Sequence, residues 1–114
     1  ELLINMNFTD NDFFYSSKIN QDTLETLEAD YFISQNINPK QIDIIVKSIY
    51  LDHELQDSYS GLTSKGIYEI NKDTLYFAAS EPGVVVRPIN FVQGLNENKG
   101  YYARVYKLIK IESN

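Results

Sequence analysis

Gly66-Ile67-Tyr68-Glu69-Ile70-Asn71-Lys72-Asp73-Thr74-Leu75-Tyr76-Phe77-Ala78-Ala79 is the stretch that decides the fold. From Gly66 to Ile70 apolar and polar residues alternate, the period-two pattern of a half-buried strand. Asn71-Lys72-Asp73 is a tight hairpin signal, because Asn and Asp bond their own backbone and tolerate left-handed conformations. Leu75, Phe77 and Ala79 carry the returning strand, and Glu81-Pro82-Gly83 ends it. The unit is an antiparallel hairpin, and the rest of the chain repeats its grammar.

Upstream, Leu2, Ile4, Met6 and Phe8 alternate with polar positions, and Thr9-Asp10-Asn11-Asp12 is a dense turn. Phe13, Tyr15 and Ser17 share one face of the next strand, and Ile19 to Thr23 is a polar break. A strand follows between Leu24 and Gln35, then a turn through Asn38-Pro39, then Ile42, Ile44 and Val46 on one face. Between Ile49 and Thr63 the pattern dissolves into a long acidic connection, with room for one short helical turn around Asp52–Gln56. Downstream, Val84 to Val92 is extended, but Pro88 suits an edge or a covering loop better than a central strand. Gly94 to Gly100 reads as a polar loop and Tyr101 to Ile111 as the last strand. In that strand Val105, Ile109 and Ile111 compete with Tyr102, Tyr106 and Leu108 for the inner face. Period-two placement puts Ile4, Met6, Phe8, Phe13, Tyr31, Ile33, Ile42, Ile44, Val46, Leu75 and Phe77 in the core.

This predicts an all-β fold over residues 1–114 as a single domain: an antiparallel, up-and-down lipocalin-like barrel or half-open barrel of about seven to eight strands. Hairpin-short connections make sequence neighbours spatial neighbours, and closure of such a meander removes exposed edges.

The motifs also carry a resemblance. Gly66 to Leu75 is similar to the GIYELDGDTL hairpin of bacterial lipocalin-like domains of unknown function. Asn38-Pro39-Lys40-Gln41-Ile42-Asp43-Ile44 resembles their NPKxIDI turn and strand, and Phe8-Thr9-Asp10-Asn11-Asp12-Phe13 their FTxDxF hairpin. Glu81-Pro82-Gly83 and Arg87-Pro88 fall where that family carries a Pro- and Gly-rich stretch. The resemblance implies a fold and almost no function. It also implies an opening GxW-type strand before Glu1, which this Trp-free chain does not contain; with Glu1 in place of Met, the chain reads as a processed product or a piece of something longer. Loss of that strand would leave the edges near Leu2–Phe8 and Tyr101–Ile111 to be covered by preceding residues, by Val84–Val92, or by a strand from another chain.

Composition narrows function by exclusion. Ten basic residues against sixteen acidic give a net charge of -6, which disfavours nucleic acid as a partner. No run approaches the ~18 apolar residues that span a bilayer, so the chain is not expected to cross a membrane by helices. Cysteine is absent, so thiolate chemistry, disulfides and Cys-based zinc sites go together. His53 with Asp52, Glu54 and Asp57 fits no metal template, and Asp10-Asn11-Asp12 lacks the distal Glu of a calcium loop. Ser58, Ser60 and Ser64 near His53 lack a nucleophile elbow, and Glu28 and Glu69 face solvent by parity. No cofactor and no catalytic or metal-binding residue is expected.

What remains is an aromatic set of nine Tyr and six Phe. Tyr15, Tyr31, Tyr68 and Phe77, with Arg104 closing one end, are the candidate lining of a cavity: large rings with sparse polar tips. Two functions follow. The favoured one is a non-enzymatic interaction or accessory module that takes a protein partner through an exposed strand edge. The alternative is binding of a small apolar or amphipathic ligand inside the barrel. An extracytoplasmic setting, periplasmic, cell-surface or secreted, is favoured.

Overall fold

The computed structural model describes residues 2–96 and 101–110. The strands are β1 (Leu2–Phe8), β2 (Asp12–Ile19), β3 (Asp22–Ser34), β4 (Lys40–Leu51), β5 (Glu54–Leu55), β6 (Thr63–Asn71), β7 (Thr74–Ser80), β8 (Gly94–Asn96) and β9 (Tyr101–Ile109). One 3-10 turn, Asp57–Tyr59, is the only helical element among the described residues. The strand order is β1-β2-β3-β4-β6-β7-β9-β8, with β5 a side branch on β4. The fold class is therefore all-β, an antiparallel up-and-down sheet of half-open type, with β1 and β8 as its two ends. No described helix is long and apolar enough to cross a membrane. Contacts group the chain into two compact units, residues 1–32 with 44–63 and residues 33–43 with 64–114.

In the first unit β1 runs antiparallel to β2 from Leu2↔Ile19 to Phe8↔Phe13, and β2 pairs with β3 through Phe13↔Ala29 and Tyr15↔Leu27. The β2–β3 connection is a two-residue turn in which Asn20 and Gln21 both take positive φ, the mirror-image turn whose twist suits a hairpin. Phe13, Tyr15, Ala29, Ile44, Val46 and Ile49 are buried in this unit. The long connection expected between Ile49 and Thr63 is largely structured. Strand β4 continues to Leu51, Asp52 and His53 form a second positive-φ turn, and β5 returns through Leu51↔Glu54. The helical turn expected around Asp52–Gln56 is thus a hairpin, and the helical turn that does form comes later, at Asp57–Tyr59. Main-chain bonds from Val46 to Leu62 and from Gly61 to Val46 hold the segment against β4.

In the second unit the deciding hairpin forms as read, with register Gly66↔Ala79 to Asn71↔Thr74 and Lys72 at positive φ. Strand β7 pairs on its other side with β9 from Thr74↔Ile109 to Ser80↔Ala103, and β9 also pairs with β8. Residues 84–92 contain no strand and act as a cover. The Ser80 hydroxyl donates to Val86 O at 2.7 Å, and the Phe91 ring meets Tyr76 at 6.4 Å. The cover explains why Ile67, Ala78 and Ala103 are buried on the face opposite Tyr68 and Phe77. It also explains the two competing faces of the last strand. Val105 on one face and Tyr106 and Leu108 on the other are all half-buried, while Tyr102 and Ile109 are exposed; Ile111 lies outside the described residues. Gly66 has no room for a side chain, since a Cβ there would stand 2.8 Å from Ala78 O.

The core list and the 94–100 loop differ from the structure. Phe8 and Ile33, expected in the core, are 37% and 44% exposed, because each lies at a strand end where neighbours run out. The strand outside the meander is Gly94–Asn96, within the stretch read as a polar loop. The final strand is flanked on both sides only at its start: β8 pairs with Tyr101–Ala103, and β7 runs along Ala103–Ile109.

Candidate functional site

The aromatic set separates by unit. Tyr15 is buried on β2 between Met6 and Leu27, its cross-strand partners. Tyr31 is half-buried on β3; its hydroxyl donates to Thr9 O at 2.5 Å and its ring meets Phe8 edge-on at 5.3 Å. Phe8 also packs on Phe13 at 4.9 Å, so these three rings pin the β1–β2 turn to β3. In the second unit Tyr68, Phe77 and Tyr106 form a row across β6, β7 and β9, with Phe77 and Tyr106 centroids 6.1 Å apart. Burial pushes the Tyr68 hydroxyl above its ordinary pKa, because the phenolate would lose hydration. Arg104 is exposed on β9, opposite Ala79.

The arginine that organises its surroundings is Arg87, which sequence reasoning placed only inside a motif. Its Nη1 donates to Ile42 O at 3.1 Å and Gly66 O at 2.9 Å, and its Nη2 to Asp43 at 2.6 Å. The planar guanidinium thus anchors the 84–92 cover to β4 and β6 in one stroke. The only signal available beforehand was an arginine beside a proline in an otherwise apolar stretch. Lys47 plays a lesser, exposed role, bridging Asp12 and Asp30 at 3.2 Å each; its hydrogen bonds to the two carboxylates raise its pKa.

Two of the three serines in the Ser58, Ser60 and Ser64 cluster bond main-chain carbonyls. Ser64 donates to Ser80 O and Ser60 to Lys47 O, so both hydroxyls serve strand connections. Among the described residues no three His, Cys, Asp or Glu side chains gather into a metal-binding group. One shallow cleft of about 290 Å³ lies in the first unit, lined by Thr23, Leu24, Thr26, Tyr50 and His53. It forms because Asp52 N–H bonds Leu24 O and draws the β4–β5 turn against the start of β3.

The remaining candidate is the open edge of β1. Thr9 N–H donates to Asp12 O at 2.9 Å, which sets the phase of the ladder. By the alternation of an antiparallel pair, Asn7, Asn5 and Leu3 turn their main chain toward β2, while Phe8, Met6, Ile4 and Leu2 turn theirs outward. Those outward groups have no ladder partner among the described residues. The 7-residue strand, Leu-Leu-Ile-Asn-Met-Asn-Phe, holds no charge, no Pro and no Gly, the features that normally blunt an edge. Leu2 and Leu3 are more than half exposed, at 54% and 56%.

No family model matches the chain, and no curated protein or solved structure matches it either.

Proposed function

We propose that this domain is a non-enzymatic interaction module whose docking element is the β1 edge, taking an extended segment of a partner as an added strand. The observation that carries the reading is an end strand with a full row of outward main-chain groups and no charge to repel an incoming strand. Main-chain bonds would supply affinity, and the exposed Leu2, Leu3 and Phe8 side chains would select apolar positions in the partner. The lipocalin-like, bacterial resemblance of the motifs and an extracytoplasmic setting belong to the same proposal. Both suit a module that works as an accessory part of a larger protein or assembly.

Selection of random decapeptides against the immobilised domain tests this reading. Bound peptides should shift the amides of Leu2, Ile4, Met6 and Phe8. Met6→Pro, which removes an outward donor and leaves the β1–β2 bonds in place, should weaken them at least ~10-fold. Peptides that leave β1 amides unmoved, or that bind Met6→Pro as well as the parent, would overturn it. A second reading, small-ligand binding, is supported by the Thr23–Tyr50–His53 cleft, whose volume of about 290 Å³ falls just below the range of ligand pockets. Shifts confined to that cleft on screening apolar and amphipathic compounds would favour it.

A further inference from the structure

We infer that the occupant of the β1 edge is the β1 edge of a second copy, paired antiparallel about a two-fold axis at Asn5. This rests on the edge reading above and adds the identity of the partner. Outward main-chain groups belong to Leu2, Ile4, Met6 and Phe8, and a new ladder forms only where outward residues meet outward residues. Centring the pair on Asn5 satisfies that condition throughout. Leu2 meets Phe8 of the second copy and Ile4 meets its Met6, with the reciprocal pairs generated by the two-fold axis.

The side chains match in the same register. One face pairs Leu2 with Phe8 and Ile4 with Met6, apolar against apolar, continuing the face on which Phe8 and Met6 already oppose Phe13 and Tyr15. The other face pairs Leu3 with Asn7 and brings the two Asn5 carboxamides together, each offering a donor and an acceptor to the other. Electrostatics admits a second copy at this edge, and the self-complementary register selects it. The chain carries a net charge of -6, so self-association is discouraged over most of its surface. Strand β1 itself carries no charge, and Asp12 beside it is paired with Lys47 at 3.2 Å. Nothing in the strand selects a charged partner, and no like charges oppose each other in the two-fold register. Exposed Leu2, Leu3 and Phe8 lose their contact with water as the pair forms.

Sedimentation equilibrium of the 114-residue chain over roughly 10 µM to 1 mM, the range for a small transient interface, tests the inference. Asn5 is exposed, so charged replacements leave the fold intact. The expected result is a concentration-dependent dimer. Asn5→Lys or Asn5→Asp alone should weaken it about tenfold or more, because each sets like charges opposite each other. Mixing the two variants one to one should restore association, as opposite charges then meet at the axis. A monomer throughout, or a dimer indifferent to both substitutions, overturns the inference. If that monomer still shifts its Leu2, Ile4, Met6 and Phe8 amides with a selected peptide, only the second copy is removed and the edge reading stands. If the β1 amides also stay unmoved, both fall.

Discussion

Strands β1 and β7 are equal in length and similar in apolar content, and the structure treats them in opposite ways. Strand β7, Thr-Leu-Tyr-Phe-Ala-Ala-Ser, has a neighbour on each side, and the 84–92 segment lies over one of its faces. Phe77 is 2% exposed there. Strand β1 has one neighbour, and Phe8 keeps more than a third of its surface in water despite its contacts with Phe13 and Tyr31. Burial in a sheet is thus a property of position in the strand order, more than of the strand's own sequence. An apolar strand left at the end of the order is a surface available for recognition.

The largest expected effect tests that contrast directly. Phe77→Ala should cost about 3–5 kcal/mol in denaturant unfolding, the range for a truncated buried ring, while Phe8→Ala should cost only about 1–2 kcal/mol. Equal costs would break the comparison. Next in size, Arg87→Lys should destabilise by about 2–3 kcal/mol, because a point charge cannot reach Ile42 O, Gly66 O and Asp43 together. The amides of residues 84–92 should then exchange faster than in the parent chain while those of β7 stay protected; unchanged exchange would show that the Ser80 and Phe91 contacts hold the cover without Arg87.

A pH titration sharpens the comparison further. Burial keeps the Tyr68 hydroxyl protonated above its ordinary value, so the folded state binds that proton more tightly than the unfolded chain. The stability it contributes is complete below the unfolded value, about pH 10, and is lost as pH rises beyond it. Tyr68→Phe should flatten that alkaline fall. If the slope above pH 10 is unchanged, the row of Tyr68 and Phe77 is wetter than its burial indicates.

The smallest effect concerns the first unit's turns. His53 sits at φ 68, a left-handed conformation that a side chain makes costly. His53→Gly should stabilise by about 0.5–1 kcal/mol in thermal unfolding. A loss of stability would show that the imidazole, which lines the cleft, makes contacts worth more than the strain it carries.

Much of the fold was legible because hairpin chemistry is local. Asn71-Lys72-Asp73 and Thr9-Asp10-Asn11-Asp12 declare turns through side chains that bond their own backbone, and alternation declares which residues share a face. The Asp52-His53 turn escaped notice because its flanking strand, β5, is only two residues long and leaves no periodic signal. Of the candidate cavity residues, Tyr15, Tyr68 and Phe77 are buried and Arg104 is exposed. The end position of β1 was anticipated, since Leu2–Phe8 was one of the two expected edges, whereas the anchoring role of Arg87 was not.

By itself the sequence determined the class of structure: all-β, antiparallel, built from short hairpins, with Phe13, Ile42, Ile44, Val46 and Phe77 facing inward. Those features depend on φ/ψ preferences and on side-chain alternation within a few residues. Only the tertiary structure decided that β8 pairs with the start of β9, that Ile67, Ala78 and Ala103 are buried beneath a cover, and that Arg87 anchors that cover. The last two depend on groups brought together from distant parts of the chain. Alternation states which face a residue shares, and only the neighbours across the ladder determine whether that face is dry.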